Sequence, residues 1–421
     1  MQAGTGSGVG ERGVERVERV ERGPGAAAES TYVGGARGSC DAREARDLRS
    51  VREAEDAWPA RLLAAGSAAL DVLGPRLAAA DPENRVAPRS RLLCAALGLL
   101  GREAYEALGE RARRERRDGR DRRERAAEVM IAAAALSLLT KVDDEVIDRL
   151  AFHGGWTTHR RVVRARTEAF LAPTFASLRS GLAATNDPRC ALAADVGLRL
   201  HALAGSRERL GQVLEVIAEG WRTQVDAVAT LSSHPGEVSL AEVTGVTRRI
   251  SGAWLLMIAL VGSLPAEARP FTSSEQEAFY SWGLHIQRAD ALADLQKDVE
   301  DGLITSFVGR VLWEREPSRY VPACERRDAA LLFGMAARHR VDDLCLQGGA
   351  EPAELGQRLA ALGGVHDLLA WIHGFLIHRY LAHPLCQRDG RDPAFRAHWE
   401  RRSAFAPYLE GARAGAPRTG A

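Results

Sequence analysis

The chain has 421 residues, 27% of them charged, and a formal net charge of +1 at pH 7. This length allows one large domain or two average domains, each with a buried core. The near-zero net charge argues against a global field that would attract nucleic acid or a membrane surface.

Neither a secretory signal nor a membrane-spanning segment is expected. The first residues lack a charged region followed by an apolar stretch. The longest apolar runs, Ile131–Leu139 and Ala253–Leu264, are shorter than the ~20 residues that a spanning helix needs. The six cysteines show no metal or redox spacing, which predicts free, buried thiols. We therefore expect a cytoplasmic protein, with room for peripheral membrane association through an apolar substrate.

Residues 1–56 are rich in Gly, Arg and Glu and contain a three-residue repeat over 14–22. Such a segment has little to bury, which predicts disorder or a loose helix. From Trp58 onwards, apolar residues recur at the three- and four-residue spacing of a helix. The pattern predicts an all-α domain over 57–410 and a flexible tail over 411–421.

The predicted helical stretches are separated by Gly- and Pro-containing turns. They are Leu62–Leu77, Leu92–Leu108, Ala126–Leu139, Val162–Leu182, Cys190–Leu203, Leu210–Leu231, Leu240–Val261, Glu275–Val299, Ala329–Leu346, Ala353–Leu362 and Val365–Leu381. Ser239 with Glu242, and Ser273 with Gln276, have the spacing of a capping box at a helix start. The charged run Glu110–Arg125 mixes arginines with acids, so a solvated surface is favoured over contact with RNA or anionic lipid.

Two acidic clusters are the strongest functional signal. The first contains Asp143, Asp144 and Asp148, directly after an apolar helical run. In a helix, residues four apart share a face, so Asp144 and Asp148 point the same way. Like charges at this spacing repel each other, so a nearby cation is expected to compensate them. A solvated helix end remains the alternative for this cluster alone.

The second cluster is more specific. Asp290, Asp294 and Asp298 form one helical stripe, and Gly302 is expected to end the helix. Mg²⁺ suits such a set because it takes carboxylate oxygens, keeps waters and binds substrate phosphates. The chain has two lysines, Lys141 and Lys297, and each lies within one of the clusters.

Two glycines inside predicted helices between the clusters are of particular interest, Gly220 and Gly252. Gly220 and Gly252 each cost about 1 kcal/mol relative to alanine in a helix interior. A glycine at such a position indicates either close packing of two helices or room for a ligand beside the backbone, and packing is the commoner cause.

The order of these parts resembles a known family. After the first acidic cluster come Gly220-x-x-x-x-x-Asp226, then Ser251-Gly-Ala-Trp254, then Gln287-x-x-Asp-x-x-x-Asp-Leu-x-x-Asp298. This order resembles the squalene/phytoene synthase branch of the class I isoprenoid synthases, over about residues 90 to 310. The triple aspartate is also similar to that of large bacterial terpene cyclases.

The chain departs from this family in several places. Asp290 stands where the branch commonly has asparagine, and the early Ser90–Arg91 pair lies unusually far from Asp143. No nicotinamide-binding glycine loop is present, which disfavours squalene formation relative to phytoene-type condensation or cyclisation.

The resemblance implies a helical bundle with a central apolar cavity and a Mg²⁺-dependent transferase or lyase. The enzyme would ionise a prenyl diphosphate and then condense two prenyl chains or cyclise one. The implied metal ligands are Asp143, Asp144, Asp148, Asp290, Asp294 and Asp298. The implied substrate-binding residues are Trp221, Trp254, Tyr280, Trp282 and Gln287. The implied catalytic residues are Arg248, Arg249, Arg379 and Tyr380, which would hold the diphosphate.

Two other classes of function stay open. One is a catalytically silent helical protein that binds an apolar ligand or partner, against which the acidic stripe argues. The other is a metallohydrolase with histidine and aspartate ligands, although no histidine lies in a metal-ligand motif. Its candidate histidines would be His153, His159, His201, His285, His373 and His378.

Overall fold

Helices form the regular secondary structure of this protein. The structure, a computed structural model, describes residues 40–109, 119–152, 156, 159–301, 306–341, 355 and 358–385. Within these ranges there are α-helices and 3-10 turns and no β-strand, so the predicted all-α fold is confirmed.

We number the α-helices in chain order. They are α1 (Cys40–Ala80), α2 (Pro88–Ala96), α3 (Gly98–Leu108), α4 (Gly119–Phe152), α5 (Arg160–Ser180), α6 (Pro188–Leu203), α7 (Arg207–Leu231), α8 (Leu240–Leu260), α9 (Ser273–Ala293), α10 (Leu295–Asp301), α11 (Phe307–Arg315), α12 (Pro317–Glu325), α13 (Ala329–Arg338) and α14 (Gly363–Ala382). Three 3-10 turns cover Pro235–Glu237, Val261–Ser263 and Ala360–Leu362.

Several helix boundaries differ from the predicted ones. The stretch predicted over Leu92–Leu108 is divided at Leu97 into α2 and α3. Helices α11 and α12 were not predicted, since each has nine residues and α12 contains two prolines. A stretch of nine residues shows little more than two helical periods, too few to be distinguished from a loop.

The two predicted capping boxes have different outcomes. Ser239 and Glu242 form the predicted reciprocal cap at the start of α8. At the start of α9, the prediction of Ser273 with Gln276 is wrong by one residue. Thr272 is the N-cap there: its hydroxyl accepts from the Glu275 backbone N–H at 3.2 Å, and the Glu275 carboxylate accepts from the Thr272 backbone N–H at 2.7 Å. A carboxylate accepts such a bond more strongly than an amide.

The long helices pack into a closed ring. Following the contacts from neighbour to neighbour gives α3, α4, α6, α5, α7, α8, α9, α14 and then α3 again. Helix α8 also contacts α3 and α4 across this ring. The second half of α8, from Ser251 onwards, is almost entirely buried, and its apolar sequence suits burial on several sides.

Helices α8 and α9 cross at two glycines. A Cβ atom added to Gly283 would lie closer than 3.0 Å to the backbone of Gly252, and one added to Gly252 would meet Tyr280 at a similar distance. Real Cβ atoms do not approach other heavy atoms so closely. Close helix packing, rather than room for a ligand, therefore accounts for Gly252.

Two helical stretches are long and apolar enough to cross a membrane by length and composition. They are Trp58–Ala80 and Leu240–Ser263. In the most apolar 18 residues of each stretch, 33% of the first and 72% of the second are buried. Buried core helices meet the same criterion, and the second stretch has the burial of such a helix.

The contacts group residues Ser50–Ala421 into one unit. Residues 1–39 of the predicted segment 1–56 lie outside the described residues. The predicted tail 411–421 and residues 110–118 of the charged run also lie outside them. The predicted domain boundaries stay predictions. Cys94, Cys190 and Cys324 are free and buried, as predicted.

Candidate functional site

The first acidic cluster lies in the second half of α4. The Lys141 ammonium is 2.9 Å from Asp144 Oδ2 and 3.0 Å from Glu145 Oε1. On its other oxygen, Asp144 accepts a hydrogen bond of 3.1 Å from the Gln224 side chain of α7. Asp144 is thus held from two sides, by a cation of its own helix and by an amide of a neighbouring helix.

Asp148 completes this cluster one turn further on. Burial, and then the charge on Asp144, hold the pKa of Asp148 well above its usual range. Burial opposes the charge on Lys141, but Asp144 and Glu145 outweigh it and raise the pKa of that lysine. Lys141 is therefore a firmly protonated counterion within a site that still has excess negative charge.

Asp143 forms an ion pair with an arginine of another helix. It is 2% exposed, and its Oδ1 lies 3.1 Å from the Arg189 guanidinium of α6. Burial raises the pKa of Asp143 to about 7, against the lowering effect of Arg189. The guanidinium also lies over the Phe170 ring of α5, 3.7 Å from its centroid. This ion pair ties α4 to α6, so we leave Asp143 out of the metal set proposed below.

The second cluster lies where α9 meets α10. The predicted single helix is interrupted at Asp294, whose backbone (φ −99°, ψ 4°) departs from helical values. The backbone bonds from Asp294 to Asp290 and from Asp298 to Asp294 persist at 2.8 Å. The three acids therefore keep the four-residue repeat across the interruption.

The pKa values of this cluster reflect crowded negative charge. Burial, and then the charge on Asp294, raise the pKa of Asp290 to about 7. Burial, followed by Asp294 and Asp290, holds the pKa of Asp298 well above its usual range. Arg379 of α14 contacts Asp294 Oδ1 and partly compensates this charge.

Charges also act between the two clusters. Beyond burial and the nearer acids, the Asp148 carboxylate contributes to the raised pKa of Asp298. Lys297 of the second cluster acts to lower the pKa of Asp148, and Lys141 of the first acts to lower the pKa of Asp290. Each cluster therefore acts electrostatically on the other.

The donor chemistry of this region fits Mg²⁺. It contains six carboxyl groups: Asp144, Glu145, Asp148, Asp290, Asp294 and Asp298. Against them stand three cationic side chains: Lys141, Lys297 and Arg379. Among the described residues, no group of three or more His, Cys, Asp or Glu side chains is arranged to hold a metal ion. Oxygen donors and uncompensated charge suit Mg²⁺, but the carboxylates do not converge on one point in this structure.

A small cavity lies beside Asp144. Its volume is about 20 Å³, room for about one water molecule. Its polar side is lined by Thr140, Asp143, Asp144 and Gln224. Its apolar side is formed by Ile147, Leu171, Trp221, Ile250, Trp254 and Met257. The cavity thus joins the acidic cluster to an apolar, aromatic wall.

Two of the four predicted pocket aromatics line this cavity, Trp221 and Trp254. Trp282 is 1% exposed and lies between α9 and α14, with His285, His366 and His373 around its ring. That position is apart from the cavity lining.

The two other predicted substrate contacts also lie in helix interfaces. Tyr280 packs against Gly252 where α8 and α9 cross. Gln287 accepts a hydrogen bond of 2.8 Å from the Ser251 hydroxyl, which links the same two helices. Neither residue lines the cavity.

One of the four predicted diphosphate-holding residues reaches an acidic cluster, namely Arg379. Arg248 contacts Glu277, and Arg249 is exposed. Tyr380 is fully buried and stacks on Phe333 of α13, with ring centroids 6.1 Å apart.

The sequence prediction did not single out Gln224, which holds Asp144. A signal for it existed, because Gln224 follows Gly220 by four residues and so shares its face of α7.

No protein-family model, no curated protein and no solved structure matches the chain. The resemblance to isoprenoid synthases therefore stays a prediction carried by the motifs themselves.

Proposed function

We propose that this protein is a Mg²⁺-dependent enzyme that ionises a prenyl diphosphate and then condenses or cyclises the resulting allylic cation. The observation that carries the proposal is the position of Asp144 on the wall of a cavity whose other side is apolar and aromatic. The second aspartate stripe, at the junction of α9 and α10, supplies further carboxylates. A ligand with an anionic head and a hydrocarbon chain matches both parts. The motif order that resembles class I isoprenoid synthases supports the same substrate class.

Five aspartates are the proposed metal-binding set: Asp144, Asp148, Asp290, Asp294 and Asp298. When bound, Mg²⁺ would offset the charge that develops on the departing diphosphate oxygens. Burial, followed by the charge of neighbouring carboxylates, raises the pKa of Asp148, Asp290 and Asp298. Added positive charge would favour their ionised form.

The cationic side chains would position the diphosphate. Arg379 contacts Asp294 at the edge of the second cluster, and its planar guanidinium can donate two hydrogen bonds to one phosphate group. Lys141 supplies a compact charge next to Asp144, and Gln224 fixes the orientation of that aspartate. These contacts would hold the leaving group while the hydrocarbon chain lies along the apolar wall.

Trp221 and Trp254 would face the allylic cation. Aromatic rings attract a cation placed over their faces, with a strength of about 1–2 kcal/mol that increases away from water. The cavity holds about one water molecule. Binding a prenyl chain therefore requires side chains of the wall to move. Condensation and cyclisation use the same ionising groups, so both stay open.

A second candidate function is the binding of an apolar ligand without catalysis. The observation in its favour is that Lys141 and Arg379 already engage Asp144 and Asp294. In addition, the described residues offer no convergent group of metal ligands. Internal cations of this kind could stabilise an acidic region that binds no metal at all.

Diphosphate release separates these candidates. The purified protein is incubated with farnesyl or geranylgeranyl diphosphate, with and without Mg²⁺, and mass spectrometry identifies the products. We expect Mg²⁺-dependent release, with at least a 100-fold loss in Asp298→Asn and no loss in the exposed control Asp71→Asn. A doubled carbon skeleton indicates condensation, and an unchanged carbon number indicates cyclisation or elimination. Binding without release in any condition favours the second candidate.

A further inference from the structure

Gly220 differs from four other buried glycines of the described helices. At Gly98, Gly197, Gly252 and Gly283, an added Cβ atom would lie closer than 3.0 Å to a neighbouring heavy atom. Packing alone explains those positions. At Gly220 the nearest atoms to an added Cβ would be Ala253 Cβ at 3.6 Å and Met257 Sδ at 3.8 Å, which are ordinary contacts.

The packing of α7 against α8 therefore has room for alanine at position 220. Alanine is also the better helix former, because glycine loses more backbone freedom on folding. Both considerations favour alanine over the residue that is present. Neither packing nor helix stability therefore requires glycine at this buried position.

The cavity supplies a reason for glycine at this position. Gly220 is part of its wall, together with Trp221 on the same helix and Trp254 on α8. Gln224, one turn later on α7, lines the cavity and binds Asp144. The cavity holds about one water molecule, so a side chain at position 220 would compete for this space.

We propose that Gly220 is a specificity-determining position, at which the bare α7 backbone forms a recess for the branched hydrocarbon chain of the bound ligand. This inference rests on the proposed function, in which the cavity receives the apolar chain of a prenyl diphosphate. A methyl group at position 220 fills the recess. Long chains that need the recess then bind more weakly than short ones.

A second glycine of α7 provides a matched control. Gly211 is exposed, and an added Cβ atom there would have nothing within 4 Å. Gly211→Ala tests the effect of helix propensity alone. Gly220→Ala adds the same methyl group to the same helix, but at the cavity wall.

The test combines thermal unfolding with ligand binding. Intrinsic tryptophan fluorescence, to which Trp221 and Trp254 on the cavity wall contribute, reports binding. The ligands are the S-thiolodiphosphate analogues of farnesyl and geranylgeranyl diphosphate, together with the free alcohol geranylgeraniol. We expect both variants to unfold at or above the wild-type temperature. Gly220→Ala should bind the geranylgeranyl analogue at least tenfold more weakly than wild type, with a smaller loss for the farnesyl analogue, and Gly211→Ala should bind both as wild type does.

The outcomes are distinct. Unchanged binding by Gly220→Ala overturns the inference, and so does a variant that unfolds well below wild type, because packing then requires the glycine. If wild type binds geranylgeraniol but neither analogue, and Gly220→Ala weakens that binding tenfold, the recess stands while the proposed function fails. If wild type binds none of the three ligands, both fail.

Discussion

Arg379 of α14 contacts the carboxylate of Asp294 at the junction of α9 and α10. The same guanidinium counteracts the raised pKa of Asp290. One arginine therefore compensates two acids of the second cluster. It also links α14 to this region by charge, in addition to the packing of α14 on α9 and α3.

Replacing this arginine should lower stability. In Arg379→Ala, Asp294 loses its cationic partner and Asp290 is further destabilised as an anion. Because the arginine side chain is 47% exposed, the expected loss is about 1 kcal/mol at pH 7, measured by urea denaturation. Arg379→Lys should recover part of it. Arg222→Ala, which removes an exposed arginine paired with Glu219, should cost less; an equal cost for both alanine variants would argue against a special role for Arg379.

Neutralising an acid of the second cluster should have the opposite effect on stability. Asp298→Asn removes a charge that burial and two neighbouring aspartates disfavour. In the absence of Mg²⁺, we expect the variant to unfold at a higher temperature, with a free energy of unfolding larger by roughly 1 kcal/mol. We also expect it to lose Mg²⁺-dependent diphosphate release. Differential scanning calorimetry and the release assay measure the two effects. A variant that is less stable than wild type would show that this carboxylate stabilises the fold.

His373 should make the protein sensitive to acid. Burial, and then the charge on His285, lower the pKa of His373 from 6.5 to about 3. Since the unfolded chain binds this proton at higher pH than the folded protein, stability falls as pH decreases from about 6.5 towards 3. The loss is at most about 1.4 kcal/mol per pH unit.

His373→Phe should abolish this contribution. At each pH, the free energy of unfolding of the variant is subtracted from that of wild type. The raised pKa of Asp290 makes stability depend on pH in the opposite direction. Because Asp290 is present in both proteins, its contribution cancels in this difference. His201→Phe, at an exposed position, serves as the control. Parallel stability curves for wild type and His373→Phe would contradict the prediction.

The crossing of α8 and α9 should not tolerate a larger residue. Gly252→Ala places a methyl group against Tyr280 closer than atoms normally approach. The helices must then separate, at an expected cost of about 1–3 kcal/mol in urea denaturation. Gly211→Ala should instead be neutral or stabilising by up to about 1 kcal/mol. Equal stability of the two variants would mean that α8 and α9 do not cross as described.

The fold was largely predictable because its helices bury continuous apolar faces. Helices α7 and α8 begin and end within three residues of their predicted bounds for this reason. The interruption at Asp294 was not predictable, since neither glycine nor proline marks it. The Ala-Leu-Ala-Asp-Leu sequence around it is compatible with an uninterrupted helix.

The site was predictable only in part. Four-residue spacing correctly indicated which aspartates repeat along one helix face. It did not indicate that Asp143, one residue before Asp144, pairs with Arg189 of α6. It also did not distinguish Trp221, on the cavity wall, from Trp282, between α9 and α14. Which neighbour a buried side chain meets is a property of helix packing, which periodicity does not specify.

A calorimetric titration of Mg²⁺ in the presence of inorganic diphosphate tests whether the two acidic clusters bind metal together. Asp148→Asn and Asp298→Asn change acids on different helices, and Asp71→Asn is the exposed control. We expect wild type and Asp71→Asn to bind Mg²⁺ equally, and each of the other two variants to bind at least tenfold more weakly. Absence of Mg²⁺ binding by wild type, or binding that neither site variant weakens, would contradict a shared metal site.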